Sequence, residues 1–388
     1  LNTVPLGSVS QINPKKPQDL DPDTLCSFVP MEYVDDYFGI ITEATTRQVK
    51  QVEKGYTYFH NWDVLFAKIT PCMENGKCAI ARNLVNGIGF GSTEFHVVRP
   101  KRDVTSEWIF YFLRQHSTRQ EAARHMTGTA GQQRVPTRFL QEVMIPLPPL
   151  PEQKRIAAIL AKADRLRRLR RTARDLSDTY LQSVFLEMFG DPVSNPRGWK
   201  ISEMGTQIKS IRYGTGSPPE YQKDGIPFIR ATNIKKGTVQ QDDLAYISET
   251  DARSIAKCKV NAGDLIIVRS GVNTGDCALI PREFDGAYAA YDLIIQVPYP
   301  QNYYYNFIIN SDYGKSIIRP LSRRAGQPHI NADQVRSLRF PVPPMPLQEE
   351  FAQIVHQFER LRAQQHEAQR QAEHLFQTLL HRAFQGKL

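Results

Sequence analysis

Pro146-Leu-Pro-Pro-Leu-Pro-Glu-Gln153 returns 195 residues later as Pro341-Val-Pro-Pro-Met-Pro-Leu-Gln348. Outward from these runs, residues 108–189 and 303–384 align without a gap at the same offset, half of the 388-residue chain. Ala130-Gly131-Gln132 falls on Ala325-Gly326-Gln327, Arg165-Leu166-Arg167 on Arg360-Leu361-Arg362, and Gln182 on Gln377. A duplicated half predicts a pseudo-two-fold molecule, and such molecules suit the two-fold backbone of DNA.

Each proline run opens a helix. From Pro151 to Phe189 there is no Gly and no further Pro. Ile159, Ala163, Leu166, Leu169, Ala173, Leu176, Tyr180 and Val184 recur in steps of three and four, one stripe on one helix face. Pro151 suits the first turn and Gly190 the stop. The second copy, from Pro346 to just before Gly386, carries Ile354, Phe358, Leu361, Ala368, Leu375 and Leu379. About 39 residues at about 1.5 Å each give roughly 58 Å, longer than one globular domain needs. Matched stripes predict that the helices bury them against each other as an antiparallel pair, with Gln364 and Gln371 helping to fix register. The alternative is that each stripe docks on its own globular half.

Ahead of each helix lies a globular segment with short β-rich runs. These are Asp63-Val-Leu-Phe-Ala-Lys68 and Phe95-His-Val-Val98 in the first, and Asp264-Leu-Ile-Ile-Val-Arg269 and Leu293-Ile-Ile-Gln-Val297 in the second. An aromatic helix follows in each, Trp108-Ile-Phe-Tyr-Phe-Leu113 or Tyr303-Tyr-Tyr-Asn-Phe-Ile308. Upstream the offset drifts to 199–201, with Phe28 on Phe228, Asp63 on Asp264 and Cys78 on Cys277. The expected class is α+β: two tandem mixed α/β domains, each followed by a long helix, the helices pairing as an antiparallel coiled coil. The expected boundaries are 1–148 and 193–343 for the domains, 149–192 and 344–388 for the helices.

Composition narrows the function. Hydrophobic content is 41%, globular rather than disordered, and no apolar run approaches a membrane span. The first 30 residues hold no apolar core of a signal peptide, and the chain does not begin with Met, which leaves open a segment ahead of Leu1. Five scattered cysteines fit reduced thiols in a cytoplasm, small and buried, and none has zinc spacing. The net charge is +9. Residues 151–190 carry 9 Lys and Arg against 5 Asp and Glu, and residues 191–346 carry 19 against 15, a distribution compatible with a polyanionic partner.

Catalytic motifs do not assemble. Tyr313-Gly314-Lys315-Ser316 lacks the glycine a phosphate loop requires, since position 309 is Ile. Gly87-Ile-Gly-Phe-Gly-Ser92 misses the third glycine of a dinucleotide fingerprint and reads as a turn. His366-Glu367 has its next histidine at His374, too far on for a zinc-protease helix. Glu152-Gln153-Lys154 has no Pro-Asp nearby to make a nuclease site, and no methyltransferase Asn/Asp-Pro-Pro-Tyr/Phe occurs. The chain reads as a binder.

The two proline runs, the Gly-Gln loops before them, Gly214-Thr-Gly-Ser-Pro218, Ile226-Pro-Phe-Ile-Arg230 with Ala231-Thr-Asn-Ile234, and Asp63-Val-Leu-Phe-Ala-Lys-Ile-Thr-Pro71 together resemble the specificity (S) subunit of type I restriction-modification systems. The resemblance spans essentially the whole chain. It implies that each globular half is a target-recognition domain reading one part of a split, asymmetric double-stranded DNA site. It also implies that the helices are a spacer that docks two methyltransferase (M) subunits, through which motor-nuclease (R) subunits join. The chain would be non-catalytic and cytoplasmic, with no cofactor or membrane of its own; S-adenosylmethionine, ATP and Mg would belong to partners. Leu347 departs from the Glu usual at that place. The competing reading is a coiled-coil adaptor for proteins.

Base readers are polar groups on loops of a shared frame. The first candidates are Lys68, Thr70, Glu74, Asn75 and Lys77, matched by Arg269, Ser270, Asn273 and Thr274. The second are Gln132, Gln133 and Arg134, matched by Gln327 and His329 with Arg323 and Arg324 nearby. The third are Tyr213, Thr215, Arg230, Thr232, Asn233 and Lys235, with Lys15, Lys16 and Lys50 as looser counterparts. Arg and Lys suit guanine O6 and N7, Asn and Gln adenine N6 and N7. The basic run from Lys162 to Arg174 surrounds Leu166 and Leu169, so a solvated or M-subunit surface is expected there rather than a DNA contact.

Overall fold

The structure, a computed structural model, describes residues 2–129, 131–235, 237–322 and 327–388, without the side chains of residues 174, 175 and 177–179. The chain forms two compact units that divide inside the long helices. One comprises residues 1–173 and 365–388, the other residues 174–364.

The units repeat one frame. In the first, a four-stranded antiparallel sheet runs in the order Ser10–Ile12, Phe95–Pro100, Val64–Ala67, Cys78–Ile80. In the second the order is Ser210–Tyr213, Leu293–Gln296, Leu265–Ile267, Cys277–Leu279. The central strands are apolar on both faces because both faces are covered. Val64 and Phe66 point into the core shared with the helices, while Leu65, Val97 and Phe95 meet the second sheet. Leu265 and Ile267 divide from Ile266 and Val268 in the same way. The second sheet has a parallel pair in each unit, Leu25–Val29 with Ile88–Gly91 and Ile226–Ile229 with Tyr288–Ala289.

The glycine-rich segment read as a turn is a strand. Ile88–Gly91 lies between Leu25–Val29 and Thr57–His60. Its glycines serve packing: a Cβ on Gly89 would fall 2.1 Å from Cε2 of Phe59. A β-branched residue usual in a strand would displace that ring.

The long helices are Leu150–Phe189 and Met345–Phe384, each of 40 residues. Within the first unit Arg155 bonds the carbonyl of Leu388 and Arg167 pairs with Glu373 at 3.1 Å. Within the second, Tyr180 stacks on Phe358 and Phe185 meets Phe351. In both units partners fall in number along one helix as they rise along the other, so the pairing is antiparallel.

The buried row keeps Ala163 and Val184 of the predicted stripe but differs from it elsewhere. Ile156, Leu160, Ala163 and Arg167 are buried on the first helix, and Ala372, Phe376, Leu380 and Ala383 on the second. Leu166, Leu169, Leu176, Leu361 and Leu375 are exposed, Leu176 by 65%. Each helix end is wedged between its partner and a domain core, so the buried face turns toward both, one position from the seam that a lone helix pair would use. Arg167, expected to be solvated, is 2% exposed. It pairs with Asp164 and Glu373, donates to the Tyr37 carbonyl, and lies over the Tyr37 and Phe376 rings.

The duplicated proline runs gain a physical meaning. The carbonyl of Pro146 accepts from the Trp108 indole at 2.7 Å, and that of Pro341 from the Tyr304 hydroxyl at 2.6 Å. Gln153, wholly buried, accepts from the Thr105 amide at 3.0 Å and donates to the carbonyls of Asp103 and Pro148, each at 2.9 Å. Among the described residues its counterpart Gln348 keeps only the bond to Pro343, and its Oε1 is buried without a partner. Gln153→Leu therefore strands three backbone groups and is expected to destabilise the first unit by roughly 2–4 kcal/mol. Gln348→Leu is expected to cost about 1 kcal/mol or less. Urea titration read by hydrogen exchange at residues 106–114 and 301–310 checks the asymmetry.

Candidate nucleic-acid interface

The first two groups of candidate residues, distant in sequence, are zipped together. In the first unit Val135 donates its amide to the carbonyl of Lys68, and Thr70 donates to that of Gln133. Ile69 and Arg134 form a β-bridge between these bonds. In the second unit Ile330 donates to Arg269 and Gly271 to Pro328, with a bridge between Ser270 and His329. Even the return contact matches, Arg134 to the Thr127 carbonyl and His329 to that of Ser322. Lys68 thus stands where Arg269 stands, and Arg134 where His329 stands. Two loops become one platform in each unit, with Asn75, Gln132 and Gln133 exposed on the first and Gln327 on the second.

The frame is shared but the charges on it are not. Arg134 grips Glu94 through Nε and Nη2, the shortest contact being 2.8 Å, and this holds the Glu94 carboxyl below the usual carboxylate range. Behind it His96 bonds the carbonyl of Val135 at 2.7 Å, and burial lowers its pKa. In the second unit Asp292 lies directly ahead of the strand Leu293–Gln296, one register position from the place of Glu94, since Leu293 faces Ile267 as His96 faces Phe66. Its carboxylate accepts from the backbone amide of Arg269 and makes no ion pair with that guanidinium. The Arg269 side chain instead lies over Tyr213 and Tyr291, 4.6 Å from each ring centre, and its Nε donates to Nε2 of His329 at 3.2 Å.

Other candidates separate by what their side chains already do. Asn233 is fully buried: its Oδ1 accepts from the Arg230 amide and its Nδ2 donates to the carbonyl of Asp242. Thr215 is 9% exposed and closes a local turn with Ser217. Both are corrected from readers to framework, because a side chain spent on backbone groups presents nothing to a base edge. Thr70 donates to Glu74, Thr274 to the Gly271 carbonyl, and Lys77 to that of Met31. Lys16 pairs with Glu53, Lys50 with Asp23 and Arg230 with Asp243. Lys15, Thr232 and Lys235 are exposed, Ser270 and Asn273 partly so. Arg323 and Arg324 lie outside the described residues.

Sequence reasoning missed Glu94, Tyr291 and Asp292, which set the charge of the platform, and Val272, whose side chain is fully exposed at a loop tip. A signal existed for the two acids. Each directly precedes the matched strand pair that begins at Phe95 and Leu293.

Burial pushes the Asp292 pKa up to about 6, against the bond and charge of Arg269. The folded unit therefore holds this proton more tightly than the unfolded chain. The stability it contributes is complete below the unfolded value near 4 and is lost as pH rises to about 6. At roughly 1.4 kcal/mol per pKa unit, Asp292→Asn is expected to gain up to about 3 kcal/mol at neutral pH. It should also flatten the slope between pH 4 and 6 in urea denaturation of the second unit.

Comparison with known proteins follows this duplicated geometry. The family model described as the type I restriction modification DNA specificity domain matches residues 4–174 and again residues 196–373. The specificity subunit of the type I restriction enzyme EcoAI from Escherichia coli is 42% identical over 152 residues, 39% of this chain and 26% of that protein. The MjaIX specificity subunit of Methanocaldococcus jannaschii is 22% identical over 302 residues, 72% of this chain and 67% of that protein. The chain thus matches only about a quarter of the EcoAI relative's length. A solved structure from work on complex assembly and conformational transition of the type I system shares the fold with TM-score 0.60, at 21% identity over 100% of this chain and 98% of that one. The S subunit from M. genitalium does so with TM-score 0.57, at 15% identity over 99% and 96%. With both halves matched by one model, the chain belongs to the type I restriction-modification DNA specificity family and carries its domain twice.

Proposed function

We propose that this chain is the DNA sequence-recognition subunit of a type I restriction-modification complex. Each domain reads one half of an asymmetric, interrupted double-stranded target. The observation that carries this reading is one loop frame built twice with different chemistry on it: Lys68, Glu94 and Arg134 in one unit, Arg269, Asp292 and His329 in the other. A common frame with distinct polar heads is what two unequal half-sites require, since phosphate contacts position a reader while base-edge contacts specify.

The paired helices act as the spacer between the two readers and as the dock for two methyltransferase subunits, with the motor-nuclease subunits joining through them. Exposed leucines along both helices support a docking role, because such residues are costly on a surface that stays in water. The chain is non-catalytic in this reading. Methylation with S-adenosylmethionine and ATP-driven cleavage with Mg belong to the partners, and the complex works in a prokaryotic cytoplasm.

The test is binding of duplex DNA by the chain together with its methyltransferase partner, after the target has been read from methylated adenines in the host genome. Target duplex should be held more tightly than unrelated duplex, with affinity falling steeply as salt rises. Binding that is absent, or equal for every sequence, would leave a protein adaptor as the better description. A second experiment probes the spacer. Removing seven residues at matched positions in both helices shortens each by about 10 Å, about 3 base pairs of B-DNA. Remapped methylation should show unchanged half-sites at a shorter spacing.

A further inference from the structure

Among the described candidate cations, Arg269 is held between two aromatic rings. Lys16, Lys50, Arg134 and Arg230 are paired with carboxylates within 3.0 Å. Among the described residues Arg269 has no such partner. Two aromatic rings flank its guanidinium at 4.6 Å, and His329 takes its Nε hydrogen. Among the described residues neither Nη atom has a hydrogen-bond partner, and neither is a buried orphan. Tyr213 is itself fixed, since its hydroxyl accepts from the Ala332 amide at 3.1 Å. The carboxylate of Asp292 is turned to the backbone amide of Arg269. A guanidinium fixed in orientation at one corner, with its far fork open, matches two acceptors lying in one plane.

We propose that Arg269 reads a guanine in the half-site addressed by the second domain, its two Nη atoms facing O6 and N7 in the major groove. Tyr213, Tyr291 and His329 are the positioning residues that hold the fork. The inference rests on the DNA-recognition reading above and deepens it. Guanine is favoured over phosphate because a phosphate accepts a cation from many directions, whereas stacking and the Nε bond restrict this one to a single plane. Holding the side chain beforehand also removes the cost of ordering it on binding. The first domain lacks the device: its matched cation is Lys68, and the fork of Arg134 is closed by Glu94.

The chain assembled with its methyltransferase partner is titrated with target duplexes in which each guanine of the second half-site is replaced, one at a time, by 7-deazaguanine, which lacks N7. One replacement is expected to weaken binding roughly tenfold or more. Arg269→Ala should be indifferent to that replacement and should relax the preference for guanine there. Tyr291→Leu should lower discrimination at the same base pair, and Tyr291→Phe should retain it. The proposal is overturned if the wild type tolerates every replacement, or if the half-site contains no guanine. It is equally overturned if Arg269→Ala lowers affinity alike for all duplexes with a shallower salt slope and an unchanged preference for guanine, the behaviour of a phosphate contact. An unmodified complex that cannot distinguish target from unrelated duplex would instead bring down the broader reading.

Discussion

One carbonyl in each half carries the architecture. The oxygen of Pro146 takes the Trp108 indole hydrogen, and that of Pro341 takes the Tyr304 hydroxyl hydrogen. A proline run offers acceptors without competing amide donors and cannot enter the helix that follows it until its end. The run is thereby pinned to the aromatic helix of its own domain, and the long helix leaves from a fixed point. Gln153 and Gln348 reinforce the seam one turn into the helix. Without such a joint, a long helix would be free to swing and could not set the position of anything attached to it.

The same economy governs the loops. Backbone bonds, blind to side-chain identity, zip the segment after the third sheet strand to the Gly-Gln segment in both units. Side chains on that frame are then free to differ. Glu94 and Asp292 show how far the difference reaches: one acid neutralises an arginine, while the other binds a backbone amide and leaves an arginine to aromatic rings. The electrostatic surface of each unit depends on a residue that points inward as much as on those that point out.

Much of the fold was legible in the chain. The constant offset of the proline runs and helices, the apolar strands and the aromatic helices all appear at their expected places, because backbone propensity and burial on both faces are local properties. The contact surface was less legible. Exposure could not be read for Asn233 and Thr215, whose polar side chains look like readers until their backbone partners are known. The glycines at 89 and 91 suggested a turn until the Phe59 ring beside the first and the Val29 carbonyl beside the second explained them.

The sequence by itself determined the duplication, the two long helices and the division into domains that share a frame but vary in their loops, since each rests on spacing along the chain. Only the tertiary structure decided which helix face is buried, that Arg167 lies inside an ion cluster, and that Lys68 and Arg269 occupy one site with different neighbours. Those outcomes depend on groups brought together from as far as 206 residues apart. No local pattern records such encounters. They exist only once the helices have docked on their domains.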